Sequence, residues 1–443
     1  MYCGYVTTIK NIRKHSNADR LQCIEVFGQN VIVDLTYKEG QKVVFFPSDG
    51  QLSVEFASEN NLLRRKDENG KNVGGYMDPD KRNITAINLR GEKSEGLVLP
   101  VECLRKYVDP ATLNDGDQIS VLNGVEICRK YIPQIKRIPK TSTQSGKKHK
   151  KTESNRSESY LYFKEHKDTA QLMYNLNAFK PGDTIYITRK LHGTSGRTMK
   201  TTKIIKETGR IRKFFHMKPK ITEETTVITG TRRVELTNMD DKSGWYKTND
   251  FRKKWHNIFK DRIPEGCEVF YEIVGYVDEN TPIMASVPND GVKEKEFTKK
   301  FGKQTVFSYG CKPGESDMYV YRMTMTTADG TVVEVPWETV EIWCDRMGVK
   351  HVPDLEKFIY TTQEDLLQRV KKYTDGIPTD EIGKTHVAEG VVVRIDNRES
   401  FTAYKEKVFE FKVIEGIAKD TSDAPDMEEA EEIIKETLGE ENG

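Results

Sequence analysis

The sequence predicts an α+β protein in two parts, a small N-terminal OB-like β-barrel followed by a larger unit of antiparallel strands and a few helices. Three observations predict it. The first 132 residues hold a series of short runs rich in Val, Ile, Phe and Tyr, divided by turn signals. Lys140 to Ser159 is rich in Ser, Thr and Lys and has almost no large apolar residue, which reads as a flexible linker. Beyond it, strand-like runs outnumber helix-periodic ones.

In order, the first part offers the strands "GYVTTIKNI", "LQCIEVFG", "VIVDLTY", "QKVVFFP", "NITAINLRG", "EGLVLP" and "DQISVLNG", with turns at "YKEG" and "LNDGD". Several short strands over this length suggest a small closed barrel, and such barrels often hold nucleic acid. Any other small β domain remains open. In the second part "HKDTAQLMYNLNAF" has helical spacing and is broken by "KPGD". Strands follow at "TIYITRK", "TTVITGTRRVEL", "CEVFYEIVGYV", "TVFSYG", "MYVYRMTMTTADGTVVEV" and "VAEGVVVRI", with "TADGT" as a hairpin turn. "VEIWCDRMGV" and "TQEDLLQRVKKYTD" read as helices. The tail "APDMEEAEEIIKETL" is either a helix starting near Pro425 or an acidic extension. The expected division is a barrel at 1–132, a basic linker at 133–159, a catalytic unit at 160–420 and an acidic tail at 421–443.

The 443 residues exceed one ordinary core, so two domains are expected. With 36% hydrophobic and 31% charged residues the chain reads as soluble and globular, with a monomer expected, and no apolar run nears the ~20 residues a membrane span needs. "MYCGYVTTIK" lacks the order of a signal peptide. The seven cysteines are scattered without C-x-x-C spacing, which argues against a zinc cage or redox motif and fits a reducing cytoplasm. Net charge is only +1, but bases crowd into Lys136 to Arg156 and Lys203 to Lys220. Such blocks can follow phosphates or simply be solvated.

One stretch carries chemistry. "ITRKLHGTSGRT" ends a strand in Arg189 and Lys190 and passes into His192-Gly193-Thr194, a polar, glycine-containing turn. A free lysine has a pKa of ~10.4, so a neutral, nucleophilic amine at pH 7 costs roughly 4–5 kcal/mol unless the site helps. Nearby positive charge and partial burial both help. Arg189 should face the other side of the strand, so helpful bases must come from elsewhere. A solvated strand-end lysine fits these residues as well.

Other stretches have the same double character. Glu272 lies in an apolar, aromatic strand, where an acid is either paired or bound to a ligand. Glu389 precedes Gly390 and a Val-Val-Val run, and Lys405 and Lys407 share a strand face. Tyr319 and Tyr321 are two apart, either able to stack on a base, and the strand-like "TGTRRVEL" offers Arg232 and Arg233. Each alone fits a salt bridge, a core aromatic or a solvated charge.

Their order is informative. A Lys-x-His-Gly-Thr turn, an Arg strand, an acid in an aromatic strand, an aromatic pair, Glu-Gly before a Val run and then Lys-x-Lys resembles the covalent nucleotidyltransferases, most of all the ATP-dependent RNA ligases. Most members carry Lys-x-Asp-Gly. "KLHGTS" is similar to an RNA-ligase branch with His, whereas DNA ligases and capping enzymes usually keep the Asp. The likeness covers roughly Asp168 to Gly416. "NLRGEKSEGLVLP" and "LNGVEICRKYIP" extend it to the RNA ligases with an N-terminal OB domain.

The resemblance implies an antiparallel-sheet nucleotidyltransferase (ligase adenylation) domain and assigns roles. Lys190 would attack the ATP α-phosphate and hold AMP. Arg232, with Arg233 as the near alternative, would contact phosphate or the RNA end. Glu272 would bind the ribose and Tyr321 would stack on adenine, where Phe is common. Glu389 would place Mg²⁺ or Mn²⁺, and Lys405 and Lys407 would grip the α-phosphate and help Lys190 shed its proton. Arg322 stands where the family has Asp. The last motif also has a second reading at Lys412, in "FEFK", but "AYKEK" has two lysines at the right spacing. The implied partners are RNA ends, in a nicked duplex or an RNA–DNA hybrid. The alternatives are an ATP-dependent DNA ligase, a GTP-using capping enzyme, or a non-catalytic nucleic-acid-binding protein on a degenerate ligase fold.

Overall fold

The computed structural model describes residues 2–66, 73–131, 156–164, 166, 169–208, 215, 217–240, 246–415 and 418–420. Most of the linker predicted at 133–159, part of the basic stretch 203–220 and the tail 421–443 lie outside them.

The fold is mixed α/β. The early strands form where the sequence places them: Gly4–Thr8, Leu21–Val26, Gln29–Asp34, Lys42–Phe46 and Leu97–Pro100. They do not close into one barrel among the described residues. Gln118–Ile119, Gly4–Thr8, Lys42–Phe46 and Leu97–Pro100 make a four-stranded antiparallel sheet, and Ile12–Lys14, Leu21–Val26 and Gln29–Asp34 make a separate antiparallel one. A short helix, Val54–Glu59, was not foreseen. It starts where the Ser53 hydroxyl accepts the Phe56 N–H and buries Phe56 and Ala57.

Two larger sheets follow. A five-stranded sheet runs Ala170–Gln171, Ala403–Lys407, Gly390–Ile395, Thr184–Lys190, Asp354–Ile359. A seven-stranded sheet runs Arg156–Tyr160, Thr194–Glu207, Cys267–Gly275, Ser316–Thr326, Val332–Glu334, with Lys220–Gly230 and Lys350–His351 added beside it. Val, Ile and Tyr fill these strands, as residues that fit a pleated, half-buried surface should. The segment expected as a helix around 166–179 is instead a short 3₁₀ turn, Leu172–Ala178, broken at Asn175.

Helices Trp337–Met347 and Gln363–Thr374 form as predicted. The first ends on Gly348, whose φ of 63° only glycine adopts cheaply, and the second starts on Thr362, whose hydroxyl accepts the Asp365 N–H. Asp250–Lys260 is a further helix, burying Phe251, Trp255 and Phe259 against the seven-stranded sheet. A second apolar cluster joins Ile24, Val31, Val43 and Phe45 to Leu176, Ile187 and Val391. The early strands therefore share a core with the strand that ends in Lys190. No helix among the described residues is long and apolar enough to cross a membrane.

Candidate active site

The five-stranded sheet brings three predicted residues into line. Lys190 pairs with Gly390, and Gly390 pairs with Lys407 on its other side. Two residues back, Thr188, Val392 and Lys405 repeat the alignment, so Lys190, Lys405 and Lys407 share one face. Gly390 is needed at the crossing, because a Cβ there would lie 2.1 Å from the Glu406 carbonyl oxygen. Glu389, just before it, is 2% exposed, and its Oε1 accepts from Lys190 Nζ at 2.7 Å and faces Lys407 Nζ at 3.3 Å. Burial by itself would raise the Glu389 carboxyl, but Lys190 and Lys407 outweigh it and hold it at about 2. Its other oxygen, Oε2, is buried without a partner. Lys407 is also paired with Glu415. Lys405, partly buried and facing Lys190 and Lys407, is pushed down to about 8, first by burial and then by those charges.

The seven-stranded sheet supplies the facing groups. Ser195, Glu272 and Tyr319 are aligned across three strands. A β-bulge follows: Phe270 pairs with Arg322 and Tyr271 with Val320, which leaves Tyr321 without a register partner. Bulges re-aim side chains, and Tyr321 turns its hydroxyl to Ser195 Oγ at 3.2 Å while Tyr319 stays in the core. Gly193 lets the turn after Lys190 pass this wall, since a Cβ would lie 2.3 Å from the Ile273 carbonyl oxygen. The Glu272 carboxyl is pushed up to about 7 by burial, with Lys190 opposing and Glu389 adding to the rise.

Lys190, Arg232, Glu272, Tyr321 and Lys405 line one pocket of 150 Å³. Glu389 lies beneath it, and Lys407 does not line it but lines a second, larger cavity. Arg232 is exposed and sits just beyond the strand Lys220–Gly230 rather than within it, and Arg233, its alternative, does not line the pocket. His192 is not a pocket residue. Its backbone N–H donates to the Tyr309 hydroxyl at 2.7 Å and its ring sits edge-on to Phe307 and Phe411. Burial pushes that imidazole down to about 4, so it is neutral at pH 7.

Lys412, the other reading of the last motif, belongs to the helix Phe409–Ile414 and pairs with Glu95 and Glu406 away from the pocket. Arg322 pairs with Glu334 and lies over the rings of Phe270 and Phe401. Three neighbours of the site were missed. Arg394 lines the pocket, donates to the Tyr321 carbonyl and keeps a buried Nε without a partner; burial pushes it down to about 10. A charge ending a buried Val run could have flagged it, by the logic that flagged Glu272. His166 packs on Phe270 and Tyr321, and Glu415 caps the helix beside Lys407; neither carried a sequence signal.

Comparison with known proteins bears on the family and the fold. A family model described as RNA ligase matches residues 183–414, which include Lys190, Arg232, Glu272, Tyr321, Glu389, Lys405 and Lys407. A mutant RNA ligase from Naegleria gruberi, solved with AMP and Mn, is similar at 16% identity over 91% of this chain and 96% of its own, with a TM-score of 0.51. The same organism's ligase with pyrophosphate is similar at 16% identity over 92% and 97%, also at 0.51. At that identity these two speak for the fold. No curated protein matches the chain. Because the family model spans just over half of the 443 residues, including the Lys190 strand and the Lys405–Lys407 strand, the chain belongs to the RNA ligase family.

Proposed function

We propose that this RNA ligase is ATP-dependent and joins a 3′-hydroxyl to a 5′-phosphate through a lysyl-AMP intermediate on Lys190. The observation that carries the reading is the alignment of Lys190, Gly390 and Lys407 over a buried Glu389, beside a pocket that also holds Lys405, Arg232, Glu272 and Tyr321. The Naegleria relatives, solved with AMP, ATP and Mn, support ATP as the nucleotide.

In the first step the Lys190 Nζ lone pair forms a bond to the ATP α-phosphorus. The bond to the bridging oxygen breaks, pyrophosphate leaves with the electron pair, and Nζ loses a proton. Transfer of this kind needs positioning and charge stabilisation. Lys405 and Lys407 grip the α-phosphate, Arg232 meets phosphate or the RNA end, Glu272 accepts from the ribose, and Tyr321 stacks on adenine. An RNA 5′-phosphate oxygen then takes AMP from the lysine. A 3′-hydroxyl finally attacks that activated phosphate, and AMP leaves.

A divalent ion fits the donors present. Glu389 Oε2 is a buried carboxylate oxygen without a partner, and ligand atoms of Glu389, His192 and Glu415 lie within 4.8 Å of one another. Glu389 would hold Mg²⁺ or Mn²⁺ with their help, and the ion supplies positive charge to the phosphates.

The domain reading belongs to the same proposal: residues 1–132 as an OB-like nucleic-acid-binding unit, 133–159 as a linker, 160–420 as the catalytic unit and 421–443 as an acidic tail. The separate apolar core of Val6, Val44, Phe46, Leu52 and Phe56 supports a unit at the N-terminal end. The substrate is proposed to be RNA ends in a nicked duplex or hybrid.

The test is adduct formation. The protein is freed of bound nucleotide, mixed with α-labelled ATP and Mg²⁺ or Mn²⁺, and denatured. Label is expected on the wild type and lost from Lys190→Ala by at least about 10³-fold. An unlabelled wild type overturns the reading.

A further inference from the structure

Two ion pairs tie the first hundred residues to the helix that follows the strand of the last motif. Lys93 Nζ meets Glu410 Oε1 at 2.5 Å, and Lys412 Nζ meets Glu95 Oε2 at 2.5 Å. Lys93 and Glu95 sit in and just after the strand Glu92–Ser94, more than three hundred positions from their partners. Glu410 and Lys412 belong to the helix Phe409–Ile414, which directly follows Ala403–Lys407. The pairs are sheltered: the Glu410 side chain is 1% exposed and that of Lys412 10%.

The links continue to the site. Lys412 also binds Glu406 at 3.0 Å, and Glu406 is the residue between the two site lysines, pointing off the opposite face. At the end of the same helix, Glu415 pairs with Lys407, which faces Glu389, which holds Lys190. The backbone continues the attachment, because Ala418–Asp420 runs parallel to Ala86–Leu89. Between these parts lies a cavity of 360 Å³ whose lining includes Lys93, Glu95, Glu406, Lys407 and Phe409. Apolar packing places Ala86 in one cluster with Phe409, Phe411 and Val413, and beside the cavity buried charge pairs with fixed partners can specify the spacing that remains.

We propose that Lys93 and Glu95 are positioning residues for Lys405 and Lys407, acting through the helix Phe409–Ile414 so that lysine adenylylation depends on this clamp. The inference rests on the reading of Lys190 and its neighbours given above. A displacement of about 1 Å at a reacting group can cost about a hundredfold in rate, and a helix that is free to shift moves Glu406 and Glu415 together.

The test is single-turnover transfer of AMP from ATP to the full-length chain, with thermal melting alongside. Lys93→Glu places a carboxylate against the buried Glu410 and is expected to slow adduct formation about tenfold to a hundredfold, with the ATP concentration for half-maximal rate changed less than about twofold. The exchanged pair, Lys93→Glu with Glu410→Lys, restores the attraction and should recover most of the rate. Should Lys93→Glu fail to fold, Lys93→Met and Glu95→Gln remove one charge each and are expected to slow the same step by several-fold. Wild-type rates in folded Lys93→Met and Glu95→Gln would overturn the clamp, as would an exchanged pair that folds and melts like the wild type without recovering. A wild type that forms no adduct instead overturns the ligase reading, so the two failures are distinguishable.

Discussion

The two sheets build opposite sides of one pocket by different means. On the five-stranded sheet, Lys190, Gly390 and Lys407 are in register, and their charges meet on Glu389 before any nucleotide arrives. On the seven-stranded sheet, the groups are sparse: Glu272 has its carboxyl raised by burial, and a bulge leaves Tyr321 turned toward Ser195. The first side is an assembled charge network and the second a receptive surface. Damage to the first should leave an uncompensated buried charge and cost rate. Damage to the second should cost nucleotide affinity.

The largest expected effect after loss of Lys190 itself comes from Glu389. With Glu389→Ala, Lys190 and Lys407 face each other without the carboxylate between them. Removing one partner of a buried pair costs about 3–5 kcal/mol of stability, and loss of the carboxylate that orders Lys190 should slow adduct formation by about a hundredfold. Melting temperature should fall as well, since the stranded charges are buried in the sheet. Lys407→Met should do less, because Lys190 keeps its carboxylate. Equal, small effects in both variants, read in the labelled-ATP assay, would break the contrast between the sides.

The next effect is a pH dependence with one limb from each side. Burial pushes the Glu272 carboxyl up to about 7, and burial with neighbouring lysines pushes Lys405 down to about 8. A carboxyl raised by burial is neutral below its pKa and then accepts weakly from ribose hydroxyls, so the KM for ATP should rise as pH falls through about 7. A lysine depressed by burial and like charge loses its proton above its pKa, so the grip on phosphate should weaken as pH rises through about 8. KM should be lowest between the two. Glu272→Gln should flatten the acid limb alone, and Lys405→Arg the alkaline limb alone. Acid and alkaline limbs that both survive in both variants would assign the titrations elsewhere.

How much of this was legible in the sequence follows the same division. The five-stranded side could be read because its residues are sequence-local: Lys190 ends one strand, Glu389 and Gly390 open another, and Lys405 and Lys407 alternate on a third. Period-two spacing then dictates a common face. The bulge at Tyr321 could not be read, because register depends on which strand pairs beside it. The same holds for His166, placed by rings far away in the chain, whereas Arg394, a charge ending a buried Val run, carried a signal that went unused. In the first hundred residues the strands were legible and their assembly was not. Short strands carry no signal for whether they close on one another, and here they split into separate sheets that share an apolar cluster with the Lys190 strand. The 3₁₀ turn at Leu172–Ala178 fails as a helix for a similar reason, since its apolar side chains are claimed by that shared cluster and Asn175 departs from helical geometry.

The smallest expected effect lies on the nucleoside side, at Tyr321, and it separates the ring from its hydroxyl. Stacking of a base on an aromatic ring is worth about 1–3 kcal/mol. Tyr321→Ala should therefore raise the KM for ATP between about fivefold and a hundredfold, with the single-turnover rate at saturating ATP nearly unchanged. Tyr321→Phe keeps the ring and gives up a 3.2 Å contact with the Ser195 hydroxyl and a longer one, 3.4 Å, with His166 Nε2. A neutral hydrogen bond of this kind nets about 0.5–1.5 kcal/mol. Part of that is recovered, because Ser195 is left partly exposed and can bind water. A change of no more than about threefold in KM is expected. If Tyr321→Phe were as damaging as Tyr321→Ala, the hydroxyl rather than the ring would be the working part. The bulge would then serve to place a hydrogen-bond donor, and the nucleoside side would resemble the network on the opposite sheet more closely than its sparse contacts suggest.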